Sequence, residues 1–150
     1  MKILVPVDGS IHSMKGLEIA ADFARTKQAD IFVISVAPGI SGMEDHEITP
    51  NRRERHADAV EKMAHDAVNL ACEFLSKEQI VSKCTKTVAA SSSVPDAIID
   101  FAESEQIDLI ILGSRGLTAS SRFKVGSIAN QVVKYSPCSV YLVKIGSGEV

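Results

Sequence analysis

The sequence predicts an α/β fold: an open, doubly wound, five-stranded parallel sheet of order 3-2-1-4-5 with helices on both faces. Three observations carry this prediction. Short runs rich in Val and Ile are apolar at nearly every position, as strands covered on both faces require. Amphipathic helical patterns alternate with these runs, which implies right-handed crossovers onto one sheet. The 150 residues, 45% hydrophobic and 23% charged, suit a single domain over 1–150 that buries its own core.

The elements follow in order. Ile3–Val7 reads as the first strand. Met14, Leu17, Ala20, Ala21 and Ala24 recur at helical spacing behind Ser10, which is placed to cap that helix. Ile31–Val36 is the second strand, and Ala37–Arg55 is read as one long irregular segment, a lid or a connection. A second helix is expected through Ala57, Val60, Met63, Ala64, Ala67, Leu70, Ala71 and Phe74, with the Met63–Phe74 stripe assigned to the core. The third strand, about Ile80–Ala89, is more polar than the others. Ser93-Val94-Pro95-Asp96 opens a third helix with a cap, an early proline and an acid. Ile107–Leu112 is the fourth strand, Ser127 to about Tyr135 the fourth helix, and Ser139–Val143 the fifth strand. Ser136-Pro137 stops the fourth helix.

Composition excludes several classes. A net charge of −3 argues against a general nucleic-acid binder. No apolar run reaches the roughly 20 residues that span a bilayer. Cys72, Cys84 and Cys138 form no C-x-x-C pair and are read as reduced, small apolar fillers. With no signal-peptide pattern at the start, these features place the protein in the cytoplasm.

In such sheets ligands bind beyond the carboxyl ends of the strands, where the strand order reverses. Two loops there carry unusual chemistry: Asp8-Gly9-Ser10, with Ser13 one turn on, and Gly113-Ser114-Arg115-Gly116, followed by Gly126-Ser127. Glycines at 113, 116 and 126 let backbone N–H groups approach an anion without an intervening Cβ. Ser127 is expected to cap the last helix, whose positive end then faces the ligand. From Leu109 to Gly148 there are five basic residues, Arg115, Arg122, Lys124, Lys134 and Lys144, and no acid. Against this stands the plain reading that the glycines only make turns and the charges only solvate a surface. Neither G-x-x-x-x-G-K-[ST] nor a G-x-G-x-x-G after the first strand is present. Ser10 stands where an Asp-x-Asp phosphatase needs its second acid, and Ala89–Ser93 lacks the aspartate of a response regulator.

These residues resemble the universal stress protein family over essentially the whole chain. The resemblance rests on Ile3-Leu4-Val5-Pro6-Val7-Asp8-Gly9-Ser10 with Ser13, on the G-x-x-G-x9-G-S pattern at Gly113, Gly116, Gly126 and Ser127, and on Ser136-Pro137-Cys138-Ser139-Val140. It implies the ATP-binding branch. Gly113, Arg115 and Gly116 are then expected on the phosphate and ribose side, and Gly126 and Ser127 at the phosphates. Asp8 would meet the ribose or a phosphate-bound Mg²⁺, and the Val36 backbone would meet adenine. The implied function is a regulatory stress-response module that binds ATP. A slow ATPase, or another nucleotide-dependent enzyme, is one alternative. A dimeric interaction protein with a vestigial glycine loop is the other. The apolar last strand, with Val140, Tyr141 and Leu142, falls at a sheet edge and is expected to pair in a homodimer, as the family does.

Other clusters are assigned plain roles. Asp8, Ser10 and His12 lie too close in sequence for triad geometry. Glu44-Asp45-His46-Glu47 with His56 is read as solvated surface rather than a metal site. Arg52-Arg53-Glu54-Arg55 is unfavourable at a helix start and is assigned to the loop.

Overall fold

The computed structural model describes residues 1–38, 49–80, 87–91, 93–115 and 125–146. Five strands alternate with four helices: β1 (Lys2–Pro6), α1 (Ile11–Lys27), β2 (Asp30–Pro38), α2 (Pro50–Lys77), β3 (Thr87–Ser91), α3 (Val94–Ser104), β4 (Leu109–Gly113), α4 (Ser127–Tyr135) and β5 (Ser139–Val143). The strands form one parallel sheet in the order β3-β2-β1-β4-β5. Strand order reverses between β1 and β4, so their carboxyl ends lie side by side.

The continuous apolar runs have a simple cause. Ile3, Val5, Ile31 and Val33 face one side of the sheet and pack with Leu17 and Ala20 of α1 and Val68, Ala71 and Leu75 of α2. Leu4, Phe32, Ile34, Ile110 and Leu112 face the other side, against Ile98 of α3 and Val132 of α4. Alternate residues of the central strands β1, β2 and β4 thus enter separate cores, with Ser35 a buried polar exception in β2.

Three boundaries differ from expectation. β2 continues through Pro38, and α2 begins at Pro50, so Arg52–Arg55 is helical rather than loop. Pro50 presets the first helical φ, and the Thr49 carbonyl accepts from the amides of Arg52 and Arg53 at 2.9 and 3.2 Å. Basic charge at a helix start costs about 0.3–1 kcal/mol per residue, less than the packing along the rest of a 28-residue helix returns. The remainder of the expected lid, 39–48, lies outside the described residues, including Glu44–Glu47. Ile80 closes α2, its amide donating to the Leu75 carbonyl at 3.0 Å, the described part of β3 is Thr87–Ser91, and 81–86 lie outside the described residues. β4 starts at Leu109 because Ile107 still closes α3, donating to the Ala102 carbonyl at 2.9 Å.

Two packing assignments also need correction. On α2 the buried residues are Ala64, Ala67, Val68, Ala71 and Leu75, whereas Met63 and Leu70 are exposed. The helix is rotated so that its small residues meet the sheet. Cys72 is disulfide-bonded, not a reduced filler. Cys138 is free and half-buried, and Cys84 lies outside the described residues. The cysteine-based argument for a reducing compartment therefore fails at Cys72. Among the described residues no helix is long and apolar enough to cross a membrane.

Candidate functional site

The tip of β1 is fixed by a dense set of short-range hydrogen bonds. Val7 N–H donates to the Ile34 carbonyl at 2.8 Å, holding the β1 exit against β2. Asp8 Oδ1 accepts from the Ser10 amide at 2.9 Å, and Gly9 turns the chain with φ of +82°, a conformation that side chains resist. Ser10 caps α1 as expected: its Oγ accepts from the Ser13 amide at 3.2 Å, and the Ser13 hydroxyl donates to the Ser10 carbonyl at 2.9 Å. Since Ser10 and Ser13 are both buried, this turn holds the Asp8 backbone, and Asp8 Oδ2 has no partner among the described residues. Ser10→Ala is expected to cost about 1 kcal/mol of stability, read from the denaturant midpoint with an unchanged slope.

The tip of β4 is built differently. A Cβ on Gly113 would lie 2.9 Å from the carbonyl carbon and the Cβ of His12, so glycine there lets β4 press against the first turn of α1. This is a tertiary packing requirement, not the open anion approach expected from the glycine spacing. Ser114 is buried, and its N–H continues the sheet by donating to the Val143 carbonyl at 2.8 Å. Its carbonyl accepts the Gly126 N–H at 2.7 Å, joining the end of β4 to the start of α4. Gly116, Arg122 and Lys124 lie outside the described residues.

This bond changes which donors are available. Gly126, not Ser127, is the N-cap of α4, and its own amide is occupied. Ser127 is the first helical residue, and its side chain makes no cap bond. The first helical bond runs from the Asn130 amide to the Gly126 carbonyl at 3.0 Å. The amides of Ser127, Ile128 and Ala129 are therefore the orphan donors that every helix start leaves, with no partner among the described residues.

Both tips open into a cavity of about 690 Å³, within the usual range of about 300–1,000 Å³ for ligand sites. Asp8, Val36, Gly113, Arg115, Gly126 and Ser127 all line it. Asp8 is the only carboxylate among its described lining residues, and Arg115 the only cation. Sequence reasoning missed the α2 wall, formed by Val60, Met63 and Ala64. Helical periodicity marked those residues, but it could not separate a core-facing from a cavity-facing position. His56 and His65 are exposed on α2, away from the lining. His65 Nε2 lies 3.7 Å from Glu61. No group of three or more His, Cys, Asp or Glu side chains suited to a metal occurs among the described residues.

Fold and site together define a parallel α/β protein with a largely apolar cavity, lined by one carboxylate and one cation among the described residues, at the strand-order reversal. The chain belongs to the universal stress protein family: the profile described as "Universal stress protein family" matches residues 1–144. It is 27% identical over 153 aligned positions to the Universal stress protein YxiE of Bacillus subtilis (strain 168), covering 95% of this chain and 98% of that protein. Among solved structures, the universal stress protein UspA from Lactobacillus plantarum superposes with a TM-score of 0.82 at 28% identity, covering 96% and 97% of the two chains. The fold is shared with the universal stress protein from Archaeoglobus fulgidus in complex with dAMP, with a TM-score of 0.65 at 24% identity and coverage of 96% and 98%.

Proposed function

We propose that this single-domain protein binds ATP, with Mg²⁺, in the cavity at the tips of β1 and β4, and acts as a cytoplasmic regulatory module of the stress response. The observation that carries the reading is the set of three amides, at Ser127, Ile128 and Ala129, that have no partner among the described residues and lie at the start of a helix whose dipole favours an anion. The dAMP held by the Archaeoglobus fulgidus relative is consistent with an adenine nucleotide here.

The residues present fit that ligand. Adenine lies against the Val36 backbone, which continues β2 into the cavity, with the α2 side chains beside it. Gly113 and Arg115 flank the ribose and phosphates, while Gly126 leaves room beside the helix start. The free Asp8 Oδ2 holds the ribose or Mg²⁺, an ion commonly bound by one or two carboxylates plus substrate phosphates. Mg²⁺ supplies neutralisation of phosphate charge. Binding rather than turnover suits the lining, which among the described residues has one carboxylate, no histidine and no positioned base for a water. The homodimer is assigned to β5, an edge strand paired only with β4 and presenting the exposed Tyr141.

Mass spectrometry of gently denatured, purified protein is expected to release ATP. Release of no adenine compound, together with no binding of added ATP, contradicts the reading. Asp8→Ala is expected to weaken Mg-ATP binding about tenfold, on the order of 1.4 kcal/mol; a loss confined to Mg-ATP assigns Asp8 to the metal, and an equal loss without metal assigns it to the ribose. Steady ADP production by the native protein that this substitution abolishes would favour the slow ATPase instead.

A further inference from the structure

Two large apolar side chains are left exposed while lining the same cavity from opposite faces of the sheet. Met63 of α2 is 57% exposed and Ile128 of α4 is 40% exposed. A single exposed apolar residue is ordinary, but each of these continues an apolar wall. Val60 and Ala64 accompany Met63, and Val94 and Ile98 of α3 accompany Ile128. The polar groups Asp8 and Arg115 come from the strand tips between the two helix layers. The cavity is thus polar along the crest of the sheet and at the head of α4, where Ser127 and Asn130 line it, and apolar against α2 and α3.

An adenosine has one apolar body and covers one such wall. In ATP the rest of the ligand is charge, which the amides at the head of α4 hold, so the apolar wall of Val94 and Ile98 is left uncovered. From this mismatch, and resting on the nucleotide reading above, we infer that the cavity also takes adenine nucleotides whose phosphate end carries an apolar substituent. The base lies against the α2 wall, the phosphate at the start of α4, and the substituent between α3 and α4. Each methylene buried there is expected to tighten binding about fourfold.

The test compares the methyl and hexyl phosphoesters of adenosine 5′-monophosphate, which carry the same charge, by isothermal titration of the full chain. The hexyl ester has five more methylenes than the methyl ester and is expected to bind at least tenfold more tightly, which burial of about two of them supplies. Val94→Ser, at the half-buried first residue of α3, is expected to cut that advantage by a factor of about three, read as the ratio of the two esters' affinities for the variant. Equal affinities for the two esters in a protein that binds both overturn the inference alone. So does a hexyl advantage that Val94→Ser leaves intact. Failure of both esters and of ATP to bind overturns the nucleotide reading and this inference with it.

Discussion

Gly113→Ala is expected to destabilise the protein by about 1–3 kcal/mol, although it adds only one methyl group. The methyl would sit 2.9 Å from main-chain and Cβ atoms of His12, which lie in the first turn of α1. That turn cannot yield cheaply, because the hydrogen bonds of Ser10 and Ser13 fix it and the same bonds hold the exit from β1. Backbone strain is not the cause, since Gly9 is the only glycine with positive φ among the described residues. The midpoint of thermal unfolding should fall by roughly 2–4 °C per kcal/mol in a chain of this size. Ligand affinity should fall too, because the clash separates the two strand tips. An unchanged midpoint would mean that β4 and α1 are not in contact at this point.

Gly126→Val is expected to produce the converse pattern: a folded protein whose ATP affinity drops tenfold or more, on the order of 1.4 kcal/mol. Gly126 has φ of −71°, which any residue adopts, and its Cβ would meet only the Ser114 carbonyl oxygen at 3.4 Å and the Arg115 Cα at 3.8 Å. The branched side chain then extends into the cavity beside the start of α4. The fold should lose no more than about 1 kcal/mol, mainly from a poorer N-cap residue. Gly126→Ala serves as the control, with near-native stability and a smaller loss of affinity. Titration calorimetry at constant Mg²⁺ separates the three proteins, and native affinity in folded Gly126→Val would remove the phosphate position from the account.

The two glycines show how far the sequence could be read. Their spacing marked both as parts of one ligand loop. Nothing local reveals that Gly113 is required by His12, about one hundred residues earlier, or that the Ser114 carbonyl consumes the Gly126 amide. Those are tertiary facts. The parallel α/β character was legible because a strand buried on both faces must be apolar throughout, as Ile3–Val5 and Ile31–Ile34 are. The caps at Ser10 and Ser93 were legible because their bonds reach only three residues along the chain. The start of α2 lies earlier than the charges at Arg52–Arg55 suggest because Pro50 presets the first helical φ and the packing of the rest of the helix outweighs that repulsion. Met63 was assigned to the core because periodicity shows that a helix has an apolar side, not which part of that side extends past the sheet. The state of Cys72 was out of reach because pairing depends on Cα separations that sequence spacing does not supply.

The most direct measurement is an amide ¹H–¹⁵N correlation spectrum of the protein titrated with Mg-ATP. If the orphan donors at the head of α4 take the phosphates, the largest shifts fall on Ser127, Ile128 and Ala129, with smaller ones at Asp8 and Val36. Saturating ATP that leaves those three amides unmoved, or moves only residues outside the cavity, would contradict the assignment of this site.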